Sequence, residues 1–436
     1  MRKFIFDDTG TGKTKRSIEM MVADKCESII VVCPANVVKT TWIPQVAQWC
    51  PGAKAIAINT KAMNKQKASI VAQFQHPDRP SFFVVSYNSI PLVEPLIYRV
   101  PQQLKWGAIF DESHYTKSIR SLRHKNSVVL SRKADSVLML TATPTPRSLE
   151  DAYGQCTVLY PARQDRMDVY GDGFATLGAF RDTYGIMHTK WIDGFAKHDW
   201  EYRQDQVQTV ADLLASTTVP IVHSDMRQPN PFKCIVSAPS AREVETFDRW
   251  VNDEQFIDST GEINAKTASE LANKKAQLDD GFIYDEDGNP HWFGDSKLGS
   301  VVRKALSLYD KSKKPVLVWT RFRASFNWIM DHAENAMDAK TFIESPDDTV
   351  KVIVGSQQSM GTGVDGLQHY ASCQIWVDLP YTAAEFTQAN ARLIRKGQPD
   401  RNPAIFIADT EINHDVFEVI QGRAEMDRII RRAQHK

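Results

Sequence analysis

The sequence is poor in cysteine, and its six cysteines form neither a C-x-x-C pair nor any spacing typical of metal ligands. It also has no apolar run close to the ~20 residues that a membrane-spanning helix requires. After Met1-Arg2-Lys3, only three apolar residues precede Asp7, which is too few for the core of a signal peptide. These absences argue against a disulfide-stabilised secreted fold, a zinc module and a membrane protein, and they predict a reducing, cytoplasmic compartment.

The sequence has no excess of charge of either sign. Its 53 Lys and Arg residues balance its 53 Asp and Glu residues, so any nucleic-acid-binding surface has to be a local patch. Hydrophobic residues make up 42% of the chain, which is ordinary for a globular protein. A length of 436 residues predicts two to three domains with large cores.

The first chemical signal lies near the start of the chain. An apolar run, Phe4–Phe6, leads into the glycine-containing stretch Asp7–Thr14, and Lys15–Ala23 has the composition of a helix. A strand, a glycine turn and a helix form the setting of a phosphate-binding loop, in which Lys13 reaches the β- and γ-phosphates and Thr14 ligates Mg²⁺. An aspartate replaces the first glycine of the strict pattern, which leaves an ordinary turn before a helix as the alternative. The residues expected to contact the nucleotide here are Thr9, Gly10, Thr11, Gly12, Lys13 and Thr14.

Apolar runs rich in β-branched and aromatic residues recur through the first 140 residues, separated by helix-like sequence. They are Ser28–Cys33, Ser81–Tyr87, Trp106–Phe110 and Ser136–Leu140. Polar clusters follow the last two runs, at Asp111–His114 and Thr141–Pro144. Strands that alternate with helices and end in polar residues predict a doubly wound parallel sheet with its site along one edge.

The pattern changes from about residue 161 to 295, where helix-like segments dominate, and alternation resumes after Lys297. Strand-like runs then occur at Pro315–Trp319, Thr349–Val354 and Gln374–Asp378. We therefore expect an α/β fold with two doubly wound, parallel-sheet lobes and helical insertions between them. The predicted domains are residues 1–235 with a helical insertion at about 161–225, and residues 236–436 with a helical protrusion at about 240–295.

In this order the motifs resemble those of the superfamily-two helicases and translocases, and in particular the Snf-type double-stranded DNA translocases. The resemblance covers nearly the whole chain and implies two RecA-like lobes. Its most specific part is Gln388–Gln398, in which Q-x-x-x-R-x-x-R-x-G-Q joins two arginines to Gly-Gln. Asp365 stands where these translocases usually have asparagine. The remaining matched blocks are Asp7–Thr14, Cys33–Trp49, Ser86-Tyr87, Asp111–His114, Thr141–Pro144, Val316–Arg321 and Gly361–Leu367.

The residue types at these positions suit ATP hydrolysis, which needs a metal, a positioned water and positive charge on the transition state. Asp111 is expected to hold Mg²⁺ through water, and Glu112 to polarise the attacking water. Arg392 and Arg395 are three apart on a predicted helix, so both can act as arginine fingers. Their alternative is a solvated helix face. The expected catalytic residues are Lys13, Asp111, Glu112, Gln388, Arg392 and Arg395, with Gly363 and Asp365 as further nucleotide contacts.

Other polar residues in the motifs are candidates for coupling or for binding the nucleic acid. His114, Thr141 and Thr143 are expected to couple the nucleotide to the rest of the motor. A structural histidine and threonines that cap the next helix are the alternatives. The expected nucleic-acid contacts, each of which could equally lie on a solvated loop, are Asn36, Lys39, Ser86, Gln357, Gln358 and Ser359.

The sequence thus predicts a monomeric, ATP- and Mg²⁺-dependent motor that steps along double-stranded DNA, in the cytoplasm of a bacterial or phage-infected cell. A strand-separating helicase acting on RNA or branched DNA is the first alternative, and a catalytically silent DNA-binding module is the second. Only Met1–Lys3 precede the first strand, so no segment that reads the base is evident there. We therefore expect hydrolysis of GTP within about tenfold of ATP.

Overall fold

The computed structural model describes residues 1–98, 100–192, 195–222, 229–252, 256–258, 261–263, 268–285, 287–356, 366–395 and 397–432. The chain forms two compact units. The first comprises residues 1–224 and the segment from Gly422 onward, and the second comprises residues 225–421. The boundary lies before the expected position at 235, because Phe232–Cys234 pairs with a strand of the second sheet.

Within the described part of the first unit, six strands form one sheet in which every neighbouring pair is parallel. They are β1 (Arg2–Ile5), β2 (Ser28–Cys33), β3 (Lys54–Ile58), β4 (Ser81–Ser86), β5 (Trp106–Asp111) and β6 (Ser136–Leu140). Their order across the sheet is β1-β6-β5-β2-β4-β3. Because helices cover both faces, the central strands are continuous apolar runs, and every residue of β2 is buried.

The helices of the first unit follow the strands in alternation and then form the insertion. They are α1 (Lys13–Ala23), α2 (Ile43–Trp49), α3 (Thr60–Gln75), α4 (Glu94–Ile97), α5 (Leu122–Lys133), α6 (Glu150–Leu159), α7 (Arg163–Tyr170), α8 (Leu177–Tyr184) and α9 (Gln204–Ala215). The insertion is not purely helical as expected, since β7 (Ile186–Ile192) and β8 (Phe195–Glu201) pair as antiparallel strands in full register. That pairing satisfies backbone groups that a helix would satisfy internally.

The second unit has a parallel sheet of the same size among its described residues, with the strand order β15-β16-β14-β17-β18-β9. The strands of this unit are β9 (Phe232–Cys234), β10 (Phe256–Asp258), β11 (Gly261–Ile263), β12 (Phe282–Tyr284), β13 (Pro290–Trp292), β14 (Val316–Thr320), β15 (Ala336–Asp338), β16 (Val352–Ser356), β17 (Cys373–Trp376) and β18 (Ala404–Ala408). The pairs β10–β11 and β12–β13 are antiparallel. The expected α/β architecture with two parallel-sheet lobes is therefore confirmed.

The helices of the second unit are α10 (Ala241–Asn252), α11 (Ala268–Asp279), α12 (Ser296–Ser312), α13 (Arg323–His332), α14 (Ala339–Glu344), α15 (Ala383–Leu393) and the start of α16 (Glu411–Arg432). The end of α16 belongs to the first unit. There Ile430 is fully buried in the core of the first unit, and Met426 and Ile429 pack against that core. Within the described ranges, no helix is long and apolar enough to span a membrane.

Candidate active site

The loop between β1 and α1 has the backbone geometry of an anion cradle. Gly10 and Gly12 have φ angles of 80° and 95°, in the left-handed region that side chains disfavour. Gly12 caps α1 without a side-chain hydrogen bond, so the first N–H groups of the helix are available to an anion. Lys13 Nζ donates to the carbonyl oxygens of Asp7 and Asp8, both at 3.0 Å. These carbonyls hold the ammonium group inside the loop, where phosphate oxygens would be its charged partners.

The threonines of this loop differ in what they contact. Thr11 Oγ1 donates to the carbonyl oxygen of Asp8 at 2.7 Å and closes the turn. Thr9 Oγ1 is buried and has no hydrogen-bond partner among the described residues, and such an atom is unusual unless a ligand completes it. Thr14 is the second residue of α1 and is partly exposed. The loop therefore offers a hydroxyl for a metal at Thr14 and an incomplete polar site at Thr9.

Asp7, which replaces the glycine of the strict pattern, anchors the phosphate loop. Its side chain is 1% exposed and accepts two hydrogen bonds from Arg16 Nη1, at 2.8 and 3.0 Å. It also accepts the backbone N–H of Val222 at 2.9 Å, and Arg16 donates to the carbonyl oxygen of Pro220 at 2.8 Å. Sequence reasoning missed this anchor, because nothing in the spacing of Asp7, Arg16 and residue 222 indicates contact.

The end of β5 presents a carboxylate with neutral donors only. Asp111 Oδ2 accepts the indole N–H of Trp42 at 2.8 Å, and Oδ1 accepts the backbone N–H of Glu112 at 3.0 Å. No cation lies within ion-pair distance of Asp111 in the described part of the chain. Burial, followed by the charge of Glu112, raises the pKa of Asp111 to about 6. An uncompensated carboxylate of this kind suits a divalent cation.

Glu112 has a strained backbone. Its φ of 50° and ψ of 53° lie in the left-handed region, which costs a residue with a side chain about 1–3 kcal/mol. It precedes a 3₁₀ turn, Ser113–Thr116, and its Oε2 lies 3.3 Å from His114 Nδ1. Such strain concentrates at functional positions, so the conformation supports a catalytic role for Glu112.

His114 joins the ends of two neighbouring strands. Its Nδ1 lies 3.2 Å from Thr141 Oγ1, which itself accepts the backbone N–H of Thr143 at 3.1 Å. Because α6 begins only at Glu150, neither threonine caps it, and the capping alternative is wrong. Thr143 Oγ1 is buried without a partner among the described residues. The contact makes His114 a bridge between the loops after β5 and β6.

The loops after β2 and β4 carry the candidate nucleic-acid contacts of the first unit. Asn36 lies in the turn after β2, and Lys39 is exposed in a π-helical turn, Val38–Trp42. Ser86 ends β4, and its hydroxyl donates to Ser89 Oγ at 2.9 Å. Trp42 is fully buried, and its indole N–H is directed at Asp111, a contact that the sequence does not indicate.

The motif residues of the second unit lie on and after α15. Gln388 and Arg392 are partly exposed residues of this helix. The sequence predicts Arg392 and Arg395 on one helix. This is wrong for Arg395, because α15 ends at Leu393. Gln398 Nε2 donates to the carbonyl oxygen of Leu393 at 3.0 Å and so satisfies a group at the helix end. The predicted residues Gln357, Gln358, Ser359, Gly363 and Asp365 lie outside the described residues.

The strand order explains which candidates come together in the first unit. Since β1, β6 and β5 are neighbours, the loops that follow them meet at one edge of the sheet. The charge of Lys13 acts on Asp111 there and offsets part of the rise in the pKa of that carboxyl group. Phosphate loop, metal-type carboxylate and strained glutamate thus share one sheet edge, which is the arrangement of a nucleotide-hydrolysis site.

Comparison with protein families matches residues 3–276 to the SNF2-related domain. The Xenopus tropicalis protein "SWI/SNF-related matrix-associated actin-dependent regulator of chromatin subfamily A-like protein 1" is 25% identical over 173 residues, which are 39% of this chain and 17% of that protein. "DNA annealing helicase and endonuclease ZRANB3" of Bos taurus is 23% identical over 260 residues, 57% of this chain and 22% of that protein. The chain thus spans about a fifth of the length of these relatives.

Among solved structures, the "Sulfolobus solfataricus SWI2/SNF2 ATPase core in complex with dsDNA" is similar with a TM-score of 0.39 and 13% sequence identity. The alignment covers 99% of this chain and 89% of that one. The family match itself extends over more than half of the chain and includes the phosphate loop and the end of β5. The chain therefore belongs to the SNF2-related family of superfamily two, whose members are ATP-hydrolysing enzymes.

Proposed function

We propose that this protein is a motor that couples ATP hydrolysis to movement along duplex DNA. The observation that carries the proposal is the end of β5, where Asp111 has no cation at ion-pair distance among the described residues and the adjacent Glu112 is strained. A relative named as a DNA annealing helicase supports DNA as the track. Because the net charge of the chain is zero, DNA is held by a limited number of phosphate contacts. Affinity then falls with salt and shows little sequence preference.

The residues at the sheet edge fit Mg²⁺. Asp111 and Thr14 offer oxygen ligands, and Mg²⁺ in phosphoryl-transfer sites needs only one or two protein oxygens besides phosphate and water. The described residues contain no group of three or more metal-type ligands, in keeping with such a sparse site. When bound, Mg²⁺ neutralises charge on the phosphate oxygens. Thr14 would hold it directly and Asp111 through water.

The side chains of the first unit then divide the chemical work. Lys13 exchanges its two carbonyl partners for the β- and γ-phosphates, and the N–H groups at the start of α1 bind the same anion. The Glu112 carboxylate accepts a hydrogen bond from the attacking water and aligns it with the γ-phosphorus. His114 lies 3.3 Å from that carboxylate and also contacts Thr141. A change in the position of the Glu112 side chain is therefore transmitted through His114 to the loop after β6.

The motif residues of the second unit supply the remaining roles in this proposal. Arg392 and Arg395 provide positive charge for the transition state, and Gln388 reports on the γ-phosphate, on the basis of the family motif. Further nucleotide contacts are assigned to Gly363 and Asp365. The assigned nucleic-acid contacts are Asn36, Lys39, Ser86, Gln357, Gln358 and Ser359.

The experiment that tests the proposal compares ATPase rates without nucleic acid and with duplex DNA, single-stranded DNA or RNA at matched phosphate concentration. We expect duplex DNA to give the largest stimulation. A larger stimulation by RNA would favour a strand-separating helicase acting on RNA instead. Absence of hydrolysis under all four conditions, with DNA binding intact, would identify a catalytically silent DNA-binding module.

A further inference from the structure

A cavity of about 350 Å³ opens on the first unit where the loops after β5 and β6 meet α8. Its lining is dominated by charge rather than by apolar surface. The charged side chains that line it are Lys117, Arg120, Arg147, Glu150, Asp151 and Arg181. Four cations against two carboxylates leave an excess of positive charge, so the cavity favours an anion.

The two carboxylates of the cavity are already engaged. Glu150 receives two hydrogen bonds from Arg181, both at 2.9 Å, and one from the hydroxyl of Tyr202 at 3.0 Å. Asp151 Oδ2 accepts the backbone N–H of Arg147 at 2.7 Å at the start of α6. These bonds hold the carboxylates in place within the wall of the cavity.

Two arginines remain to attract a ligand. Arg120 and Arg147 are exposed, and neither forms an ion pair within the described part of the chain. A guanidinium group presents paired N–H donors that match two oxygens of one phosphate. Arg423 lies on the segment of α16 in the first unit, where burial lowers its pKa. The charges of Asp151 and Arg147 also act on this pKa, so Arg423 lies near the cavity. The cavity therefore has the donors of a phosphate site at its rim.

The walls of the cavity are continuous with the catalytic loops. The loop from Glu112 reaches the cavity at Lys117, and the loop from Thr141 reaches it at Arg147. Helix α6 links the two loops, because Gln155 accepts the Ser113 hydroxyl at 2.7 Å and donates to the Pro144 carbonyl at 2.7 Å. The Lys117 carbonyl packs on Gly154 so closely that a Cβ there would lie 2.1 Å from its oxygen. An anion bound in the cavity would therefore shift the positions of both loops, because α6 connects them through close contacts.

We propose that this cavity binds a backbone phosphate of the DNA track, separately from the phosphate loop, and that its occupancy reaches Glu112 through the two linked loops. The inference rests on the proposed function and adds to it the position at which DNA activates hydrolysis. A backbone phosphate is favoured over a nucleotide because the arginines lie exposed at the rim, where an extended strand can reach them. Free inorganic phosphate presents the same oxygens and is the alternative ligand. The experiments below distinguish it from a phosphate of the DNA backbone.

The test uses the full chain with Arg120→Gln and Arg147→Gln combined. Both side chains are exposed, so the fold is retained. The matched control is Arg132→Gln with Lys133→Gln, which removes the same charge from exposed positions at the end of α5, outside the cavity lining. For each protein we measure duplex affinity at several salt concentrations, the basal ATPase rate, and the ATPase rate as a function of duplex concentration.

We expect the cavity variant to need at least ~10-fold more duplex for half-maximal stimulation and to reach a lower maximal rate. Its salt dependence should lose about one unit of slope, since the cavity holds one phosphate and each phosphate contact contributes roughly one. The basal rate should stay unchanged, and the control should match wild type. If the cavity variant behaves like the control variant in all three measurements, the inference is wrong. Stimulation of the wild-type ATPase by duplex DNA would in that case still support the proposed function. An unchanged maximal rate with weaker affinity would support the contact and overturn its link to Glu112.

A second measurement identifies the source of the anion. With ADP saturating the phosphate loop, thermal unfolding is followed in millimolar inorganic phosphate and in chloride of equal ionic strength. We expect no difference between wild type and the cavity variant in these titrations. Stabilisation by phosphate that disappears in the variant, with duplex affinity unaltered, would show a small-anion site and contradict the assignment to DNA.

Discussion

Two aspartates follow buried parallel strands, one in each unit, and they differ in the distance to the nearest cation. Among the described residues, Asp111 at the end of β5 receives hydrogen bonds from neutral groups only. Asp378, just after β17, lies 3.2 Å from the ammonium group of Lys297. The proposed function assigns Asp111 to a metal ion, whereas Asp378 already has an ammonium group as its partner inside the protein.

The cluster around Lys297 is a structural device. This side chain is 4% exposed and lies 2.6 Å from Asp279, 2.8 Å from Asp280 and 3.2 Å from Asp378. Burial, followed by the charge of Asp378, raises the pKa of Asp280 well above its usual range. One buried cation therefore connects the end of α11, the start of α12 and the end of β17. Its removal would leave the carboxylates without compensation.

The largest effect on stability is expected from Lys297→Met, which removes the only ammonium group that contacts Asp279, Asp280 and Asp378 among the described residues. Loss of one partner from a buried ion network costs about 3–5 kcal/mol, because the remaining charges stay buried and unpaired. Urea unfolding should show a decrease of this size in the free energy of unfolding. Lys311→Met, an exposed position on the same helix, is the matched control and should change it little. Equal stability of the two variants would refute the structural role of Lys297.

The next effect concerns the strand end that is free for chemistry. Glu112→Gln keeps the size of the side chain but weakens its interaction with the attacking water. We expect turnover to fall at least ~10²-fold, or about 2.7 kcal/mol in the activation barrier, with ATP binding retained. Lys13→Ala should weaken nucleotide binding as well, because in the proposed mechanism its ammonium group binds the phosphates directly. Steady-state kinetics and nucleotide titrations distinguish the two, and wild-type turnover in the Glu112 variant would remove it from the mechanism.

Trp42→Phe sharpens the comparison by removing one neutral donor from Asp111 while preserving an aromatic core side chain. Loss of such a supporting bond to a metal-holding carboxylate typically costs about tenfold in metal affinity. We expect the Mg²⁺ concentration for half-maximal hydrolysis to rise by that factor. Trp49→Phe is the control, because the Trp49 indole N–H donates to Gln45 at 2.6 Å and not to Asp111. A similar Mg²⁺ requirement in both variants would contradict the role of Trp42.

The smallest expected effect is a gain in stability. Glycine adopts the left-handed backbone of residue 112 without the strain that glutamate carries there, so Glu112→Gly should raise the free energy of unfolding by about 1 kcal/mol. Hydrolysis should be lost at the same time. Denaturant titration gives the first value and ATPase assay the second. Lower stability in this variant would show that the Glu112 side chain supports the fold rather than straining it.

The central strands of the first sheet could be predicted from sequence, whereas its edge strand β3 could not. Ser28–Cys33 is buried on both faces, so it forms a continuous apolar run that identifies a central strand. Strand β3, Lys54–Ile58, lies at the sheet edge and is mostly half-buried, so its apolar signal is weak and it was not predicted. The hairpin of β7 and β8 was missed too, although its strands flank Asp193-Gly194, a dipeptide typical of hairpins.

By itself the sequence determined the α/β class and predicted the Asp7–Thr14 loop and the Asp111–His114 block, because each depends on residues that are close together in the chain. Only the tertiary structure decided which carboxylates are compensated. Lys297 lies 81 residues from Asp378, and Trp42 lies 69 residues from Asp111. In sequence both aspartates follow an apolar run, although a polar block follows Asp111 and Leu379-Pro380 follows Asp378. Electrostatic compensation acts through space, so only the fold shows which cation lies beside Asp378 and which neutral donor lies beside Asp111.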